Sequence, residues 1–200
     1  VPKIVDAEAR RQDVVEAVLR IIAADGLERA SLRETADEAG LAVGSVRHYF
    51  AGSEELLAFS FASVVDRIVG RLEASLPDVQ AAAPGTADHR AAVLALLCGL
   101  LPLDAPRAVE LCAWMAFKSA ARVRPFLVAE ADRSHREVAV IVGRVVTALR
   151  PEGEPRESLV VEAERLLATL DGLCMHALLQ PGWMTREMCV DVLERHLDGM

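Results

Sequence analysis

Ser45, Arg47, His48 and Tyr49 fall within five consecutive residues, S-V-R-H-Y, inside a run from Leu41 to Gly52 that holds no acid. An arginine guanidinium can bond the O6 and N7 of guanine with two parallel N–H groups, or clamp a phosphate. A histidine at its side can read a base edge, or spend its ring nitrogens on backbone. A serine hydroxyl and a tyrosine phenol suit phosphate and sugar contacts, which position a protein without specifying sequence. Val43 and Gly44 precede them, where a small or apolar surface can touch a thymine methyl or let backbone approach. Together these residues have the chemistry of a duplex reader.

The flanking sequence, SLRETADEAGLAVGSVRHYFAGSEELL from Ser31 to Leu57, supplies elements to hold them. It predicts a short helix, a glycine turn, a second helix over Val43 to Tyr49, and the capped start of a third. Two short helices about such a turn form a helix-turn-helix, whose second helix lies in a major groove. Ser31 and Glu34 have capping-box spacing, and Gly40 supplies the left-handed backbone that stops the first helix. A two-turn helix is unstable alone, so Leu41, Val46 and Phe50 are read as the packing that fixes it. A preceding helix from Asp6 to Asp25 turns Val14, Val15, Val18, Leu19 and Ile22 to one side and stops at Gly26.

Ala39, Gly40, Leu41, Gly44 and Phe50, followed by Glu54-Glu55-Leu56-Leu57, resemble the DNA-binding domain of the tetracycline-repressor (TetR) family over roughly the first 60 residues. The ending His48-Tyr49-Phe50 is most similar to the choline-responsive BetI-type subgroup. The resemblance implies a helix-turn-helix domain over 1–52 and an effector-binding and dimerisation domain over 53–200. It adds Arg33, which matches a position the family often turns toward DNA. It also exposes departures. Ala42 stands where a capping serine is common, and Arg47 where a tyrosine is common. Ser53 replaces a usual phosphate-binding lysine, leaving a hydroxyl and a helix amino end to hold the phosphate.

Composition narrows the alternatives. The chain of 200 residues is 52% apolar but only 4% aromatic. Three- and four-residue apolar spacing recurs without strand-like alternation, so the fold is read as all-α. No apolar run reaches the roughly 18 residues needed to span a bilayer. The amino end leads into a charged helix rather than a secretion signal, and the expected location is the cytoplasm, away from membrane. Cys98, Cys112, Cys174 and Cys189 form no C-x-x-C pair, and the five histidines no metal-binding spacing; the cysteines are read as small core residues. No nucleophile–base pair or phosphate loop emerges, so neither an enzyme nor a cofactor or metal is expected. The net charge of −8 runs against the basic footprint of nucleic-acid binders. The first 60 residues also hold seven basic residues against eleven acids. Salt-sensitive binding through the acid-free face is expected.

Beyond a fourth helix over about 53–76, ended by Pro77, the sequence predicts a loop from Gln80 to Asp88. Helices follow near 88–101, 105–122, 125–149, 156–180 and 186–197. In the resembled family the last two long helices form a dimer bundle with their symmetry mates. Leu159, Glu162, Leu166, Leu170, Leu173, Met175 and Leu193 are the candidates for that interface here. Their apolar stripe is broad, which intrachain core would also produce. The family receives its effector between the linking helix and the bundle. Phe61, Leu97, Trp114, Phe117, Arg122 and Phe126 are the candidate walls, and Trp183 a candidate interface plug. The expected protein is a homodimeric repressor that binds a pseudo-palindromic DNA operator and is released by a small, mostly apolar effector. A dimeric sensor or scaffold without DNA binding is the alternative.

Overall fold

The computed structural model describes residues 7–150 and 155–199. Within them lie nine α-helices and no strand. They are α1 (Ala7–Asp25), α2 (Leu32–Glu38), α3 (Val43–Tyr49), α4 (Ser53–Ala81), α5 (Ala87–Leu97), α6 (Ala105–Ala120), α7 (Val128–Leu149), α8 (Arg156–Leu179) and α9 (Arg186–Asp198). Short 3₁₀ turns lie at Leu27–Arg29, Cys98–Leu100 and Pro125–Leu127. The expected start of the first helix at Asp6 falls outside the described residues. No single helix among them is long and apolar enough to cross a membrane.

Local chemistry sets most boundaries. Gly26 and Gly40 adopt φ of 86° and 65°, the left-handed backbone that glycine enters without steric cost. Ser31, Thr86 and Thr185 each accept a backbone N–H three residues ahead, starting α2, α5 and α9. One expected boundary is corrected. Pro77 does not end α4, which continues to Ala81. A helix-interior proline sacrifices a hydrogen bond and crowds the carbonyl four residues back. Leu76 and Val79, on either side of it, are both buried, and that packing holds the last turn in place. The loop is correspondingly shorter than expected, because α5 starts from the Thr86 cap.

The chain divides into two compact units, Val1–Val65 with Cys112–Ala131, and Asp66–Leu111 with Asp132–Met200. In the first unit, the buried face of α1 (Val14, Val15, Val18, Leu19 and Ile22) accompanies Ala36, Val46, Phe50 and Leu56 in an aliphatic core. Arg124, far away in sequence, donates to both carboxylate oxygens of Glu28. The second unit is tied by Arg71, which donates to the Gly99 carbonyl at 3.2 Å and to Glu110 at 2.6 Å. A Cβ at Gly99 would lie 3.1 Å from Leu72 Cδ2, tighter than ordinary contact, so the two chain segments approach closely there. Glu162 bridges Arg150 at 2.7 Å and Arg165 at 2.6 Å.

Candidate nucleic-acid interface

The helix-turn-helix is assembled by backbone as much as by side chains. Ser31 Oγ accepts the Glu34 N–H at 3.2 Å, so one half of the capping box forms. The Glu34 carboxylate instead lies 3.4 Å from Arg29. After the Gly40 turn, the Leu41 N–H returns to the Ala36 carbonyl at 2.8 Å. That bond locks the exit of α2 and sets the direction in which α3 departs. Ala42 occupies the N-cap of α3 with extended backbone and no side-chain cap, forgoing about 1 kcal/mol that a serine would supply. Packing compensates. Val46 and Phe50 are fully buried, and the Phe50 N–H bonds the Val46 carbonyl at 3.0 Å.

With Val46 inward, the opposite face of α3 turns outward. Gly44, Ser45, Arg47 and His48 are exposed, and Val43 and Tyr49 half-buried. The His48 and Tyr49 rings meet edge to face with centroids 5.4 Å apart, which restrains both at the end of the helix. Arg33 on α2 and Ser53 at the start of α4 are also exposed. Glu55 accepts the Ala51 N–H at 2.7 Å, so this acid is engaged in holding the α3–α4 turn.

Several of the region's arginines are engaged within the chain. Arg10 lies 3.3 Å from Asp13, Arg20 2.6 Å from Glu38, and Arg29 3.4 Å from Glu34. Arg11 lies over two phenylalanine rings. Arg33 and Arg47 are exposed and have no ion pair among the described residues. Gly44 lies on the same exposed face. Its φ is not positive, and a Cβ there would meet nothing within 4 Å. Nothing inside the chain requires a glycine at that place.

The other candidate residues are distributed as follows. Phe61 and Phe117 are fully buried in the first unit and stacked, with centroids 5.0 Å apart and planes at 13°. Trp114 is buried beneath Lys118, whose Nζ lies 4.2 Å from the indole centroid. Phe126 is half-buried, Arg122 exposed, and Leu97 buried within the second unit. Of the interface candidates, Leu166, Leu170, Leu173 and Leu193 are buried within the single chain. Over these residues the broad stripe is intrachain core. Glu162 is held by its two arginines, Leu159 is half-buried, and Met175 is exposed.

Of an apolar row on the far side of α8, Met175 alone is among the interface candidates read from the sequence. Val161, Ala168, Gly172, Met175 and Leu179 recur at offsets of 7, 11, 14 and 18 residues, which places them on one helix face. Val161 and Leu179 are 65% and 68% exposed, and Trp183 just beyond is 77% exposed. The spacing was present in the sequence, but the periodicity of a helix apolar on two sides does not say which side is inward.

Residues 14–58 match the family described as bacterial regulatory proteins, tetR family, and residues 89–200 match BetI-type transcriptional repressor, C-terminal. The HTH-type transcriptional regulator PksA of Bacillus subtilis (strain 168) is 31% identical over 202 residues, spanning 100% of this chain and 93% of PksA. The HTH-type transcriptional regulator BetI of Rhizobium meliloti (strain 1021) is 29% identical, spanning 99% of this chain and 92% of BetI. The crystal structure of a transcriptional regulator from Rhodococcus sp. Rha1 matches the fold with a TM-score of 0.80 at 28% identity, covering 94% of each chain. The two helices about the Gly40 turn, the outward Arg47 face and these matches agree: the chain belongs to the TetR family and is a DNA-binding transcriptional regulator with a BetI-type C-terminal domain.

Proposed function

We propose that the protein is a homodimeric repressor that places one α3 in each half-site of a pseudo-palindromic operator and is released by a small, mostly apolar effector. The observation that carries this reading is the unpaired, exposed Arg47 on an acid-free helix face, in a region whose Arg10, Arg20 and Arg29 are paired with acids. Arg47 reads a base edge or a phosphate. Arg33, Ser45, Tyr49 and the hydroxyl of Ser53 set the register on the backbone. Val43 and Gly44 make the close approach, and His48 lies at the edge of the contact.

An isologous dimer gives the two-fold symmetry that such an operator mirrors. The apolar row on α8, with Trp183 beside it, supports a second copy as its cover, since large contiguous apolar patches are unusual on monomers. Phe61, Trp114 and Phe117 are buried in the first unit, so an effector reaches them only through a conformer that opens that core; Phe126 is half-buried and Arg122 exposed in the same unit. For release, the effector must bind the DNA-free conformer more tightly than the DNA-bound one.

Selection of duplexes from a random pool tests the reading. The expected winners carry two inverted half-sites separated by a whole number of helical turns, about 10 base pairs each. Enrichment of single, unpaired sites would contradict the dimeric arrangement.

A further inference from the structure

The second unit carries a groove of about 830 Å³ between α7 and α8. This size lies within the range of small-molecule sites, about 300–1,000 Å³. Its apolar lining comes chiefly from Val140, Gly143, Leu159 and Val160. Val140 and Val160 are each more than half exposed. The α8 side of the groove borders the Val161–Leu179 row: Val160 adjoins Val161, and Glu164 stands three residues from Val161 and four from Ala168. What distinguishes the groove from that row is its charge.

Its charge points to an occupant. Arg136 and Arg144 stand on α7 at the same groove as Val140, and Arg156 faces them from α8. All three are exposed, and none has an ion pair among the described residues. The one acid in the lining, Glu164, is 3.8 Å from His135. Three unpaired arginines around apolar walls, on a chain of net charge −8, make a local positive trough. Gly143 also lines the groove. It lies mid-helix, where glycine costs about 1 kcal/mol relative to alanine, yet a Cβ there would meet nothing within 4 Å. The glycine widens the groove without relieving any internal contact.

We propose that the α7–α8 groove binds a free anionic amphiphile, a single alkyl chain with a carboxylate or similar anionic head. The chain lies along Val140, Leu159 and Val160 over Gly143, and the head is held by Arg136, Arg144 and Arg156. Charge-assisted bonds from guanidinium groups favour that head strongly over a neutral or cationic one. This goes beyond the operator-binding reading and does not depend on it.

The test is calorimetric titration of the full chain, without DNA, with laurate, dodecanol and dodecyltrimethylammonium below their micellar concentrations. Laurate is expected to bind most tightly and the cation most weakly. The double variant Arg136→Gln, Arg144→Gln should lose about ten-fold or more in laurate affinity, roughly 1.4 kcal/mol, while dodecanol binding is unchanged. Gly143→Phe, whose ring fills the groove, should abolish binding of both. Far-ultraviolet circular dichroism of each variant verifies that the fold is kept. Absence of laurate binding, equal binding of anion and cation, or binding indifferent to Gly143→Phe would overturn the proposal. So would a change in sedimentation mass on Gly143→Phe, which would mark the groove as an interface between copies. Because no DNA is present, none of these outcomes bears on operator recognition.

Discussion

The Arg11 guanidinium lies 4.3 Å from the centroid of the Phe59 ring and 5.3 Å from that of Phe50. The two rings are themselves 5.4 Å apart. One cation on α1 therefore braces both the end of α3 and the first turns of α4. This side chain works as a positively tipped spacer, since its Nε is buried without a hydrogen-bond partner. Arg11→Ala should cost about 1 kcal/mol through lost ring contact and packing. Arg11→Met, which fills the space without an orphan N–H, should retain most of the stability. Chemical denaturation of the two variants checks this.

Gly44→Ala separates folding from recognition. The new methyl meets open space and replaces glycine inside a helix, so α3 should gain stability, by up to about 1 kcal/mol. DNA affinity should nevertheless fall several-fold, because the methyl stands where the duplex backbone would come closest. Parallel thermal melts and anisotropy titrations would register the opposite signs.

The outward row on α8 makes a prediction about assembly. Leu179→Glu puts a charge into the 68%-exposed apolar face and should convert dimer to monomer without loss of helix. Leu166→Ala should leave the assembly alone and cost about 2–5 kcal/mol of stability, because Leu166 is fully buried in its own chain. Sedimentation velocity together with melting curves distinguishes the two.

His196 sets a pH dependence. Burial, followed by the nearby Arg165 charge, holds its pKa below the ordinary value near 6.5, with Glu162 partly opposing. Its Nε2 is buried without a hydrogen-bond partner. The folded chain therefore binds this proton less readily than the unfolded chain. The resulting stability is complete above about pH 6.5 and is lost as the pH falls through the depressed folded value. In His196→Gln the decline in melting temperature over that window should be shallower than in the parent.

The reading head was legible because its signals are local. A serine cap, a glycine at positive φ and Val46–Phe50 packing each act over three or four residues, and the Val43–Tyr49 helix has the bounds its sequence predicts. What stayed hidden depends on distant partners. The inward side of α8 is chosen by the helices that pack on it, so Leu166 and Leu170 became core while Val161 and Leu179 face out. The continuation of α4 past Pro77 rests on the burial of Val79. The freedom of Arg47 is visible only once Arg10, Arg20 and Arg29 are seen to have found their acids.

The most direct test of the account is the salt dependence of operator binding with and without Arg47. Fluorescence anisotropy should follow the protein onto the duplex immediately upstream of its own gene, beside an unrelated duplex, at low and moderate salt. The parent should bind the upstream duplex saturably and selectively, with affinity that falls as salt rises. Arg47→Ala should lose about 1–3 kcal/mol of that binding if the guanidinium reads a base, and less if it holds a phosphate. Equal affinity of parent and Arg47→Ala for every duplex, at every salt concentration, would contradict the assignment of α3 as the reading helix.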